Sequence, residues 1–133
     1  MARLILDTGV LVAAVRRRLD LAAMPDEDDV ALPAVALADF LAGVLREEDH
    51  GRRAVQRAFL DEVLAAVPVE DYGQTVAEHH AELLAHTQRH GKPRGAHDLI
   101  IAATARATGR TLVTTDKHAR FEELPGVAVR HPS

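Results

Sequence analysis

The segment Ala96–Asp116, AHDLIIAATARATGRTLVTTD, carries the pattern from which the fold can be read. From Asp98 to Thr108 it is apolar and alanine-rich, which predicts a well-buried helix capped by Gly109. Leu112-Val113 follows as a short buried strand ending in Thr114-Thr115-Asp116, so polar groups collect where an apolar strand stops. The chain opens on a similar pattern. Arg3-Leu4-Ile5-Leu6 ends at Asp7-Thr8 and is followed by the apolar stretch Val10 to Val15 and then Arg16-Arg17-Arg18. This predicts a strand, a polar turn and a helix.

Between these two units, Met24 to Asp29 reads as an acidic loop and Val30 to Leu32 as a second short strand. Pro33 is placed to open a helix reaching about Glu47. Arg52 to Ala66 repeats Val55, Phe59, Val63 and Ala66 at helical spacing, and Val67-Pro68-Val69 is a weak strand. Tyr72 to His90 predicts a long polar helix capped by Gly91, with Val76, Leu83, Leu84 and Thr87 inward. Gly91 to Gly95 is a loop, and Val127 to Val129 is the last strand candidate. Short apolar strands alternating with helices predict an α/β fold: one domain over residues 1–133 with a mainly parallel sheet covered by helices on both faces.

Composition narrows the classes. The 133 residues contain no cysteine, which excludes a disulfide framework and a thiolate metal site. Only one Tyr, three Phe and no Trp are available, so Ala, Val and Leu must fill the core. The apolar run Val10 to Val15 is too short for a signal sequence or membrane span, and the expectation is a soluble cytoplasmic protein. A net charge of −4 argues at first against a polyanionic partner. Its distribution softens the objection, because residues 1–66 hold 8 basic and 12 acidic residues while residues 67–133 hold 8 of each. Without Asp7, Asp39, Asp98 and Asp116 the remaining charges balance.

Taken singly, each aspartate has an ordinary role: Asp7 and Asp116 as turn caps after strands, Asp98 as an acid in the first turn of a helix. In a parallel sheet, ligands collect at the carboxyl ends of the strands, where Asp7 and Asp116 fall. Carboxylates gathered at one end of a sheet repel one another unless a cation lies between them. Oxygen ligands without cysteine suit Mg²⁺ or Mn²⁺. Asp39 has small neighbours at Ala36, Ala42 and Gly43, although a solvated place on an amphipathic helix explains it equally well. A carboxylate-held divalent ion in an open cleft is suited to phosphoryl chemistry. Thr8, Thr114 and Thr115 add hydroxyls, which in turns are ordinary hydrogen-bonding groups.

Other clusters have simpler explanations. Asp26-Glu27-Asp28-Asp29 reads as a solvated loop, since adjacent residues cannot all converge on one ion. Glu78, Glu82, His86 and His90 share a helix face and read as solvent-facing. Lys92, Arg94, Lys117 and Arg120 flank the C-terminal acids and are candidates for contact with a phosphate backbone. Arg16 to Arg18 either meet phosphate or solvate a helix end. His97, beside Asp98, either caps its helix or supports the site.

With these motifs in place, the chain resembles the PIN-domain ribonucleases, in particular the VapC kind of toxin from bacterial toxin–antitoxin pairs. The resemblance rests on Leu4-Ile5-Leu6-Asp7-Thr8, on Leu32 to Gly43 around Asp39, on Ala96 to Ala105, and on Thr111 to Asp116 with Phe121 following. It implies a five-stranded parallel sheet and Mg²⁺- or Mn²⁺-dependent RNA cleavage, with Asp7, Asp98 and Asp116 as metal ligands and Asp39 completing the catalytic set. It further implies a homodimer, inhibition by a cognate antitoxin, and contact with promoter DNA only through that antitoxin. The second motif usually carries Glu, and Asp39 is shorter by one methylene, which suggests action through water. Two alternatives belong to other classes. A phosphatase using Asp7 as nucleophile, as in haloacid-dehalogenase-like enzymes, would want a second Asp where Gly9 stands. A binding module that keeps the fold without chemistry would not need all four acids.

Overall fold

The computed structural model describes residues 1–17, 20–21 and 28–132. Five strands form one sheet: β1 (Arg3–Leu6), β2 (Asp29–Pro33), β3 (Val69–Glu70), β4 (Thr111–Val113) and β5 (Val129–Arg130), in the order β3-β2-β1-β4-β5. Every pairing is parallel, with Leu4 opposite both Val30 and Thr111. The first connections carry the chain from β1 outward on one side, and β4 then returns to pair with the other side of β1. The order therefore reverses between β1 and β4, where a parallel sheet opens a crevice at its carboxyl end.

Side-chain alternation along these strands builds two cores. Leu4, Leu6, Leu32 and Val113 face one layer with Val10 and Leu11 of α1 (Thr8–Val15), Phe40 and Val44 of α2 (Ala34–Arg46), and Leu60 and Val63 of α3 (His50–Ala66). Ile5, Ala31 and Leu112 face the other, with Val76 and Leu83 of α4 (Gln74–His90) and Leu99, Ile101 and Ala102 of α5 (Ala96–Thr108). The sheet is buried on both faces, which is why its strands read as continuous apolar runs. Helices α4 and α5 end at Gly91 and Gly109, both left-handed at φ 61° and 64°, as the capping pattern predicts.

Several details differ from the sequence reading. The inward stripe of α3 runs through Gln56, Phe59, Leu60 and Val63, whereas Val55 and Ala66 are exposed. On α4, Leu84 is exposed, and Arg106 of α5 reaches His79 at 2.8 Å and Glu82 at 2.9 Å. Asp29 is the first residue of β2, not part of a loop, while Arg18 and residues 24–27 of the expected acidic loop lie outside the described residues. The weak strand at 67–69 forms as Val69–Glu70, and the tail strand as Val129–Arg130.

Asp29 takes part in a buried clamp. Arg110, just before β4, is 7% exposed; its guanidinium donates to the carbonyls of Leu4 and Asp29 at 3.1 and 2.9 Å. It also meets the carboxylates of Asp29 at 3.1 Å and Glu70 at 3.3 Å. One side chain thereby ties β4 to β1, β2 and β3. No described helix is long and apolar enough to cross a membrane.

Candidate active site

Asp7 leaves β1 at the strand-order reversal. Its amide donates to the carbonyl of Val113 at 3.0 Å, prolonging the β1–β4 ladder by one bond. Its carboxylate is buried and accepts a hydrogen bond from Thr114 Oγ1 at 2.7 Å. The same Thr114 oxygen accepts from the Asp116 amide at 3.0 Å, so one fully buried hydroxyl joins the two strand-end acids. Thr114, offered by the sequence only as possible support, is thus the link between them. Asp116 folds into a turn in which Oδ1 accepts from the amides of His118 and Ala119 at 2.8 and 3.1 Å, leaving Oδ2 without a hydrogen bond among the described residues.

Asp98 lies in the first turn of α5, whose N-cap is Gly95 with no side-chain cap. It shares a cavity of about 200 Å³ with Asp116 and is half-buried, and it accepts no hydrogen bond from the described residues. A side chain at Gly95 would meet its Oδ2 at 2.9 Å, so glycine is what allows the loop to pass so close. Asp39 enters from the middle of α2, where Oδ2 receives Thr8 Oγ1 at 3.4 Å and Oδ1 contacts His97 Nδ1 at 2.8 Å. His97 is therefore not a helix cap. It reaches across from α5 to α2, a pairing for which the sequence has no local signal.

The electrostatics record the crowding. Burial pushes the Asp7 carboxyl above its usual range against the opposing bonds from Thr114 and Thr8, and the charges of Asp116 and Asp39 push it the same way. Asp98 is raised by burial and then by Asp7 and Asp116, with His97 pulling the other way. The structure thus brings all four sequence-predicted acids into one field.

The flanking cations are distributed differently. Arg94 is used within the protein, donating to the carbonyls of Ala119 and Arg120 and holding the turn after Asp116. Lys92 pairs with Glu123 at 3.4 Å on the surface. Lys117 is exposed and without an ion pair among the described residues. The Glu78–His90 face of α4 gathers no metal-binding group, and His86 and His90 stack on each other at 4.0 Å.

The donor set fits a hard divalent ion: a half-buried carboxylate without a donor, a second with a free oxygen, and a third buried beside them. As placed, no three His, Cys, Asp or Glu side chains among the described residues enclose an ion by themselves. A hard divalent ion there would complete its shell with waters and substrate phosphates.

Residues 4–127 match the model of the PIN domain. Ribonuclease VapC of Rickettsia bellii is 25% identical over 95% of this chain and 93% of its own length. The tRNA(fMet)-specific endonuclease VapC of Shigella flexneri is 26% identical over 96% of each. Among solved structures, VapBC2 of Rickettsia felis bound to a promoter DNA fragment superposes with a TM-score of 0.88 at 23% identity, over 98% of this chain and 99% of the other. VapBC-5 of Mycobacterium tuberculosis, a member of the VapBC family of toxin–antitoxin systems, gives 0.78 at 32% identity over 98% of each. With a match over nearly its whole length and relatives covered end to end, this chain belongs to the PIN-domain family, in its VapC branch.

Proposed function

We propose that this chain is a divalent-metal-dependent endoribonuclease and the toxin of a toxin–antitoxin pair. The carrying observation is Asp98: half-buried, without a hydrogen-bond donor among the described residues, and set among three other acids at the strand-order reversal. Partial burial beside like charges in a cleft is the setting in which functional carboxylates are found. The relatives named as VapC ribonucleases give the reaction class.

Asp7, Asp98 and Asp116 would hold Mg²⁺ or Mn²⁺. Such an ion, when bound, lowers the pKa of water and neutralises charge developing on a phosphate oxygen. Thr114 fixes the rotamer of Asp7 and the turn that presents Asp116, so the free oxygens keep their aim without reorganisation. Asp39, oriented by Thr8 and His97, would act on the ion through a bound water. Thr8 and His97, which contact Asp39, and the exposed Lys117 would serve as supports or RNA contacts. Lys92 can leave its exposed pair at little cost, since surface pairs contribute about 0–1 kcal/mol.

The cognate antitoxin would cover this cleft and present Arg or Lys to the carboxylates. Related proteins are seen as VapBC complexes, some on DNA, and DNA contact here would run through the antitoxin. The toxin itself is expected to be a cytoplasmic homodimer. The test is cleavage of RNA by the pure protein with Mg²⁺, with Mn²⁺ and with chelator. Cleavage that persists unchanged in chelator would exclude the metal. Absence of cleavage with either ion would exclude the enzyme and leave a binding module.

A further inference from the structure

Two cavities of about 200 and 220 Å³ share the loop before α5, and Arg94 lines both. The first holds Asp98 and Asp116 of the candidate active site, with Arg120 on its wall. The second is lined by Lys92, and Glu123 is the one carboxylate on its lining. Glu123 joins the two. Its Oε1 takes Lys92 Nζ at 3.4 Å and its Oε2 faces Arg120 Nε at 3.4 Å, so a single carboxylate spans two cations from separate segments. All three side chains are exposed, and such pairs give way readily to other ions. Neither cation is used up. Lys92 keeps further ammonium donors, and neither Nη atom of Arg120 makes a hydrogen bond among the described residues.

A second observation is the backbone at Arg120. It is left-handed, at φ 49° and ψ 50°, a conformation that suits glycine and strains a residue with a side chain. The surroundings hold it there. Its carbonyl accepts from Arg94 at 2.8 Å and from the Glu123 amide at 3.1 Å, and the neighbouring Phe121 is anchored in the core. Strain kept at the edge of a site points to a use for the side chain. Within the described protein the guanidinium meets only Glu123, so that use is not structural.

We propose that Lys92 and Arg120 form a subsite for a backbone phosphate of single-stranded RNA, next to the phosphate that is cleaved, and that Glu123 holds its place in the free protein. The proposal rests on the ribonuclease reading and adds to it the path of the strand and an internal competitor for that path. A phosphodiester has two unesterified oxygens sharing one negative charge, so it can take over both cations from a carboxylate. Such contacts position a strand without reading its bases. The acids of the first cavity oppose a polyanion, and cations flanking them are what would hold the strand beside them. Arg94, common to both cavities, makes the subsite continuous with Asp98 and Asp116, which favours substrate over a protein partner.

The experiment uses the pure protein with Mg²⁺ and a fluorescent pool of random-sequence single-stranded RNA, with kcat and KM measured at rising KCl. Glu123→Gln removes the competing charge and should lower KM about three-fold with kcat unchanged, the scale of an exposed pair. Lys92→Ala and Arg120→Ala should each raise KM about five-fold, and the double variant should flatten the slope of log KM against log salt by about 0.7, the share of one phosphate on a single strand. Arg120→Gly should raise KM as Arg120→Ala does while melting no earlier than wild type, because the strain is gone. If it melts earlier, Arg120→Lys, which keeps both charge and strain, must hold KM near wild type. An unchanged KM in Glu123→Gln, or an unchanged salt slope in the double variant, overturns the subsite and leaves the ribonuclease standing. If no RNA is cut, the ribonuclease reading fails, and the intact RNA is followed by anisotropy under the same conditions. The same order of affinities then keeps the subsite, and no binding overturns it. If Glu123→Gln tightens only the antitoxin complex, the two cations belong to the protein partner and the proposal falls.

Discussion

Two ends of one sheet handle charge in opposite ways. At the amino ends of β2 and β4, Arg110 is buried and its guanidinium is engaged by two carbonyls and by the carboxylates of Asp29 and Glu70. At the carboxyl ends of β1 and β4, Asp7, Asp98 and Asp116 meet no cationic side chain within ion-pair range among the described residues, and Asp39 has only His97. The first arrangement neutralises its charge within the protein, with only Arg110 Nε left without a partner among the described residues, and contributes to the fold. The second gathers like charges with no internal cation, which is the arrangement that the proposed metal would complete. Stability and function are thus assigned to opposite ends of the same strands.

Removing the cation from the neutralised end should have the largest effect. Arg110→Ala would leave Glu70 without its partner and the carbonyls of Leu4 and Asp29 without their donor, and should cost about 3–5 kcal/mol, read by urea denaturation. Arg110→Met should cost less, because it keeps the packing of the side-chain stem; Asp29 retains Arg3 at 2.9 Å in both proteins. A loss below about 1 kcal/mol in the alanine protein would mean that surface pairing, not the clamp, is what the sheet uses.

At the acidic end the sign reverses. Asp7→Asn and Asp116→Asn should each lower RNA cleavage by roughly 10²–10³-fold, corresponding to several kcal/mol at the transition state. The metal-free Asn proteins should melt at or above wild type, since one source of repulsion is gone. Full activity in Asp116→Asn would break the contrast between the two ends.

The same contrast appears in the pH profile. The folded-state carboxyls of Asp7 and Asp98 lie above the usual value of 3.8, so the folded protein binds protons more tightly than the unfolded chain. The stability they contribute is fully present below that value and is lost as pH rises through the raised folded values. Metal-free protein should therefore lose stability across that window, and Asp7→Asn should flatten the loss. A melting profile identical in wild type and Asp7→Asn would remove burial and repulsion as the cause. The smallest effect belongs to the supports: Asp39→Asn and His97→Ala should each lower cleavage by about ten-fold, with little change in melting. A loss equal to that of Asp116→Asn would place Asp39 among the direct ligands.

Much of this was legible in advance because it is local. Apolar runs ending in Asp7 and Asp116 mark strand ends, and Gly91 and Gly109 mark helix ends, through rules that operate within a few residues. Helix faces were read less well. On α3, the spacing of Val55, Phe59, Val63 and Ala66 is helical, but the true stripe is rotated toward Gln56 and Leu60, because α2 packs there. The links between motifs were not legible. Thr114 to Asp7, His97 to Asp39 and Arg110 to Glu70 join residues 107, 58 and 40 apart, and no periodicity encodes such pairs.

Those separations also bear on timing. Arg110 bonds to Leu4 across 106 residues, and Thr114 to Asp7 across 107. Protein synthesis proceeds from the amino terminus, and parallel strands cannot pair until their distant partners exist. A ribosome that has made Asp7 and Asp39 has therefore made no active site. Asp98, Thr114 and Asp116 must first emerge, and β4 must insert beside β1. The candidate site is therefore absent for most of synthesis, and the pairing of β4 with β1 is the step that would assemble it.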